Sequence, residues 1–242
     1  MALHSDETQA HAPRELHPHR GDRLREIVFG LNDGLVTTLV FIMTVSSVAH
    51  GSTIVLVVLS EVAAGGISMT LGGYLAANTE QEVIAKRIAT ERYEIEHEPS
   101  EERAELRAIY HEKGLPDDLL NRVVGYLTAD KSRWHQAMIR DELGIVEEEE
   151  PAAPWVQGLF IGGSFILGGL MPTLPFLLGV PQPRVWAYGA AAVVALILGA
   201  LKSRYTLKGP LRSSLEFLVI VTIGTLAGIG IGVLAHAVHP GG

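Results

Sequence analysis

Five stretches of this chain contain no Asp, Glu, Lys or Arg: residues 34–60, 62–79, 151–183, 185–201 and 217–242. A helix needs roughly 20 apolar residues to cross the hydrocarbon core of a bilayer, and each stretch comes close to that length or exceeds it. The chain therefore reads as an all-α, five-span polytopic membrane protein, with spans at 27–49, 53–77, 155–178, 184–202 and 215–237. A hydrophobic content of 48% with 26 Gly also argues against an ordinary soluble domain of this size.

The charges are as segregated as the apolar residues. Residues 80–150 hold 19 acidic and 10 basic side chains, a net −9 in a chain whose total is −8. One polar insert therefore carries the acidity, which disfavours nucleic acid as a partner and favours cations. No apolar leader segment precedes the first span. Arg14, Arg20, Arg23 and Arg25 flank span one, and Lys202, Arg204, Lys208 and Arg212 lie between spans four and five. The connections His50–Ser52 and Gly179–Pro183 and the end His236–Gly242 have neither Lys nor Arg. The positive-inside rule then puts the N-terminus and the insert in the cytoplasm and the C-terminus outside. The expected domains are a polar tail (1–26), spans one and two (27–79), the acidic insert (80–150) and spans three to five (151–238).

Nothing stops the second helix before Pro99, so it is expected to run from Thr53 to Glu98. A helix from Ser100 to Gly114 and a third from Asp117 to Leu143, closed by Gly144, would make the cytoplasmic acidic insert a three-helix unit, followed by the linker Glu147–Glu150 and Pro151. Pro172 and Pro175 are expected to kink or end span three. The ladder Gly224-x3-Gly228-x3-Gly232 permits close helix approach, more in keeping with packing inside the chain than with a dimer seam.

Two acids remain in the spans, Asp33 and Glu61. A buried ionisable group in hydrocarbon is expensive and marks a pathway. Thr37, Thr44 and Ser47 lie near the Asp33 side of span one, and Gly65, Met69 and Gly72 lie near the Glu61 side of span two. For the Thr and Ser residues a hydrogen bond to their own helix is the ordinary role, and for Asp33 a helix-start cap competes. With no cysteine in the chain, disulfides, thiolate sites and Fe–S clusters are excluded, leaving oxygen, imidazole and thioether ligands. Two carboxylates and the Met69 thioether suit a transition-metal dication, and carboxylates with raised pKa values also carry protons. Metal–proton exchange is the activity these residues suggest, without catalytic residues and so not an enzyme.

In the insert, Glu91 and Glu94 sit three apart on one helix and Glu102 and Glu105 three apart on the next, with the Pro99 turn folding one toward the other. His135, Met138 and Glu142 share one face of the third helix. Against a metal cluster stand the commoner roles of solvated glutamates, helix-start acids and a core methionine. Glu94-x-x-His97 has the spacing of a di-iron ligand pair, but that architecture needs two such motifs.

The run Ile27-Val28-Phe29-Gly30-Leu31-Asn32-Asp33-Gly34-Leu35-Val36-Thr37-Thr38, the run Gly66-Ile67-Ser68-Met69 followed by Gly72, Gly73 and Tyr74, the Glu-rich insert and the Pro172/Pro175 span resemble the vacuolar iron transporter family over Arg23–Val238. The resemblance implies a homodimer with a pathway between the subunits, exporting Fe2+ from the cytosol in exchange for protons. A bacterial member would sit in the inner membrane. It implies Asp33, Glu61 and Met69 as pathway residues and Glu91, Glu94, Glu102, Glu105, Met138 and Glu142 as the cytosolic metal set. Two positions depart from the family pattern. Gly73 stands where many members carry Glu, and Ile139 stands where many carry a second Met, a loss for which His135 would compensate. Mn2+, Co2+ and Zn2+ are further ions the donor set accepts. Two rivals are a membrane-bound ferroxidase or iron-storage protein and a Mn2+ exporter of the same fold.

Because the chain has no native cysteine, its topology is directly testable. An impermeant maleimide added to intact cells should label Ala237→Cys and leave Ser132→Cys unlabelled until the membrane is opened. The reverse pattern would overturn the orientation.

Overall fold

The computed structural model describes residues 20–47, 49, 52–145 and 152–238. The His-containing tail before Arg20, most of the His50–Ser52 connection, the linker Glu147–Glu150 with Pro151, and the last four residues lie outside the described residues. Among the described residues every regular element is helical: α1 (Arg20–Val45), α2 (Ser52–His97), α3 (Pro99–Glu112), α4 (Asp117–Thr128), α5 (Lys131–Asp141), α6 (Pro154–Leu177), α7 (Pro183–Ser203) and α8 (Pro210–Val238). Five of them, α1, α2, α6, α7 and α8, are long and apolar enough to cross a membrane, matching the five expected spans to within a few residues. The exception is the first, whose helix begins at Arg20 and so takes in part of the expected polar tail. Helix α2 is a single 46-residue element, about 69 Å long at 1.5 Å per residue. Its apolar part ends before Glu80. Helix α6 continues through Pro172 and Pro175 to Leu177 and does not end at either.

The chain divides into two compact units, one from the described parts of Met1–Met69 and Phe160–Gly242, the other Thr70–Leu159. In the first, small residues set the packing. Ala187, Ala191 and Ala195 of α7, spaced four apart on one face, are fully buried against Leu35, Leu39, Met43, Phe217 and Val221. Gly228 and Gly232 of α8 lie against α1, where Thr44 Oγ1 and Ser47 Oγ donate to their carbonyl oxygens at 3.1 and 3.2 Å. Part of the glycine ladder is thus spent on packing inside the chain. The tightest approach is between α1 and α6: a Cβ on Gly34 would overlap the Phe165 carbonyl, and one on Gly168 the Leu31 carbonyl.

The second unit has its own core, in which Ile95, Leu106, Trp134, Ala137 and Met138 are buried together. The expected helix 117–143 is broken here. Helix α4 ends at Thr128, and α5 starts after Asp130, whose extended backbone leaves its carboxylate to accept from the Arg133 N–H at 2.9 Å. An Asp that caps an N–H cannot also continue the preceding helix. Thr128 is taken up by the Arg103 guanidinium at 2.7 Å. The insert therefore counts four helical segments, the end of α2 with α3, α4 and α5, where three were expected.

With the α1–α6 contact this close, Gly34→Ala and Gly168→Ala should each destabilise the solubilised protein by about 1–3 kcal/mol or more through overpacking. Gly163→Ala, where a Cβ meets nothing within 4 Å, should be neutral. Thermal unfolding in detergent distinguishes them, and equal midpoints for all three would refute so tight a contact.

Candidate metal centre

Two groups of polar side chains stand out, one in each unit. In the first unit, α1 and α2 bring Thr38 and Glu61 together: Thr38 Oγ1 donates to Glu61 Oε2 at 2.9 Å. Thr38 is fully buried and Glu61 half-buried. A Cβ on Gly169 of α6 would lie 2.6 Å from that Thr38 hydroxyl, so only a glycine leaves the pair room. Asp33 is within electrostatic range of Glu61 and lies 3.5 Å from Thr37 Oγ1. Met69 follows two turns further along α2 and is half-buried.

The polar stripe expected along α1 does not hold together. Thr44 and Ser47 bond back to Val40 and Thr44 carbonyls at 2.9 and 2.7 Å and face α8, the ordinary back-bonding role of such residues. Thr37 keeps to the Asp33 side as expected, and Thr38, outside that expected stripe, is the residue that meets Glu61. The available signal was that Glu61 needs a donor inside the apolar region and that α1 offers a Thr37-Thr38 doublet.

In the second unit, carboxylate oxygens of Glu91 on α2, Glu102 on α3 and Glu142 at the end of α5 all lie within 4.8 Å of one another. Pro99 sits at the start of α3 directly after Glu98, so the chain reverses between Glu91 and Glu102 with almost no loop. Glu91 and Glu102 are only 3% and 5% exposed, whereas Glu142 is open to solvent. Such burial of two like charges beside a third is costly unless protons or a cation intervene. Burial, with the neighbouring acids, pushes Glu102 up to about 8 and Glu91 up to about 6, and raises Glu142 as well. Of the buried pair, Glu102 is the more easily protonated. One oxygen of each, Glu91 Oε1 and Glu102 Oε2, is buried with no hydrogen-bond partner. Buried acceptors that lack a donor and converge with a third carboxylate form an all-oxygen set fit for a hard or borderline dication.

The other expected members are placed differently. Glu94 and Glu105 act on this group electrostatically but do not join the close trio. Met138 is fully buried in the apolar core beside Leu106 and Trp134. His135 lies 3.1 Å through Nε2 from the Ile88 carbonyl oxygen and lines a separate cavity with Arg92, Glu96, Lys131 and Ser132. His97 stacks on Tyr93 at 3.9 Å between ring centroids, with Nδ1 2.8 Å from the Tyr93 carbonyl oxygen.

The sequence matches the VIT family over residues 24–233. It is 32% identical over 237 residues to a protein of Oryza sativa subsp. japonica called vacuolar iron transporter 1, covering 95% of this chain and 93% of that one. It is 35% identical over 218 residues to the protein of that name in Arabidopsis thaliana, covering 88% and 86%. A protein of Toxoplasma gondii called vacuolar iron transporter is 28% identical over 204 residues, covering 80% and 68%.

The raised carboxyls fix how stability depends on pH. A carboxyl that stays protonated in the fold above its ordinary 4.5 favours the folded state fully below that pH, and the advantage fades as pH rises toward about 8. Glu102→Gln removes that loss. Without metal, its unfolding midpoint should exceed that of the wild type by about 2–4 °C at pH 8 and match it near pH 4.5. Parallel pH profiles for the two proteins would contradict the buried-acid description.

Proposed function

The chain belongs to the VIT family, and from that membership we propose that it is a homodimeric transporter that moves Fe2+ out of the cytosol in exchange for protons. The observation that carries this reading is the convergence of Glu91, Glu102 and Glu142, an oxygen cage with the composition a divalent cation needs. In the proposed cycle this cage gathers the ion on the cytosolic side. Arrival of the ion displaces the proton held by Glu102, since carboxylates bind metal only when ionised. The ion then passes to the intramembrane acids Asp33 and Glu61, with Met69 further along α2. Thr38 holds the Glu61 carboxylate in one orientation by its hydrogen bond. Protons loading the same acids from the other side restore the starting state, so ion and proton compete for the same oxygens. A two-fold axis would double every ligand along the path, which five spans of one chain enclose poorly.

A second reading, Mn2+ export by the same fold, is favoured by one observation. The three groups that converge are all carboxylates, and oxygen ligands accept Mn2+ as readily as Fe2+. The ferroxidase alternative has less support. Its Glu94-x-x-His97 pair is unaccompanied by a second, and His97 is stacked on Tyr93.

The test is uptake into proteoliposomes loaded with a pH-sensitive dye, comparing Fe2+, Mn2+, Co2+ and Zn2+. Fe2+ entry with opposite proton movement is expected. Asp33→Asn and Glu61→Gln should each lower flux by about tenfold or more, equivalent to ~1.4 kcal/mol. Glu142→Gln should chiefly raise the Fe2+ concentration needed for half-maximal flux. Metal entry with no change in internal pH would eliminate the exchange mechanism. Undiminished flux in both intramembrane variants would eliminate the pathway.

A further inference from the structure

Asp141 is the last residue of α5, and Glu142 follows it directly. The Asp141 side chain is 11% exposed and is held by three donors. Tyr110 Oη donates to Oδ2 at 2.7 Å, Lys113 Nζ to Oδ1 at 2.6 Å, and Arg140 Nη2 to Oδ2 at 2.9 Å. Two of the three come from outside α5: Tyr110 lies in α3, which also carries Glu102, and Lys113 is its C-terminal cap. The backbone is fixed from the other side too. The Glu142 and Leu143 N–H groups both donate to the Met138 carbonyl, and that of Ile145 donates to the Ile139 carbonyl, around Gly144 at φ +67°.

Glu142 has none of this support for its own carboxylate, which accepts no hydrogen bond among the described residues and faces two acids of its own sign. An exposed side chain in that position would swing into solvent unless its backbone were held close. We infer that Asp141 is a positioning residue: anchored to Tyr110 and Lys113, it holds the end of α5 against α3 so that Glu142 closes the group formed with Glu91 and Glu102. This rests on the metal-binding reading of those three carboxylates. It adds a residue that touches no ion and governs whether the third ligand is present.

A residue that merely stabilises the unit would weaken metal binding in any background, whereas one acting through Glu142 has no effect once Glu142 no longer ligates. Fe2+ binding to the full-length protein in nanodiscs, measured anaerobically by equilibrium dialysis, should weaken roughly tenfold in Asp141→Ala, the low end of what loss of a ligand's support costs. Glu142→Gln should weaken it similarly, and Asp141→Ala added to Glu142→Gln should change it less than about twofold. The unfolding midpoint, by contrast, should fall on Asp141→Ala in both backgrounds. Tyr110→Phe, which deletes one anchoring donor, should show the same pattern at smaller size and serves if Asp141→Ala fails to fold. Equal, additive losses in both backgrounds, or unchanged affinity in the Asp141 and Tyr110 variants, would remove the positioning role and leave the metal centre standing. Unchanged Fe2+ binding after Glu91→Gln with Glu102→Gln would remove the metal centre itself, and the inference with it.

Discussion

Helices α1 and α6 meet where neither has a side chain to keep them apart. Gly34 lies against the Phe165 carbonyl and Gly168 against the Leu31 carbonyl. In lipid there is no hydrophobic force to press helices together, so contact of this kind, backbone on backbone, supplies dispersion energy that bulkier residues would forfeit. It also fixes a polar feature. Gly169, one residue beyond Gly168, leaves the space in which Thr38 turns its hydroxyl to Glu61. The half-buried Glu61 carboxylate accepts from a donor held by the same packing that makes the unit compact.

The second unit solves a different problem. Three acids of one sign are gathered around a point, and nothing in their own chemistry favours that. What opposes the repulsion is next to them in sequence: Ile95 follows Glu91 by one turn, Leu106 follows Glu102 by one turn, and Met138 precedes Glu142 by one turn. Each acid thus shares a helix face with an apolar anchor, and burial of the anchors brings the acids together. The core sets the distance between carboxylates, and the raised pKa of Glu102, with that of Glu91 above the ordinary range, favours protonation that relieves the charge.

Five helices of crossing length were legible in the sequence because a run of about 20 residues without charge is what a helix immersed in hydrocarbon requires and what a solvated helix does not tolerate. The meeting of α2 and α3 was legible because Pro99 leaves no room for a long loop. Periodicity alone could not separate a ligand from a core residue on one helix face: Met138 is buried among apolar side chains one turn before Glu142, and the His135 ring lies 3.1 Å from the Ile88 carbonyl oxygen. The break at Asp130 escaped notice because an Asp in a polar, periodic stretch reads equally well as a surface position or as a cap. Thr38 was hidden for a third reason: its partner is 23 residues away, and only the approach of two helices reveals the pair.

The near-absence of a loop between α2 and α3 has a bearing on synthesis. Glu91 and Glu102 are separated by only eleven residues, about three turns of chain, so bringing them together costs little entropy and demands no distant contact. Glu142 emerges forty residues later. During translation Glu91 and Glu102 are therefore neighbours in the chain before α5 exists to add Trp134, Ala137 and Met138 to the core that buries them.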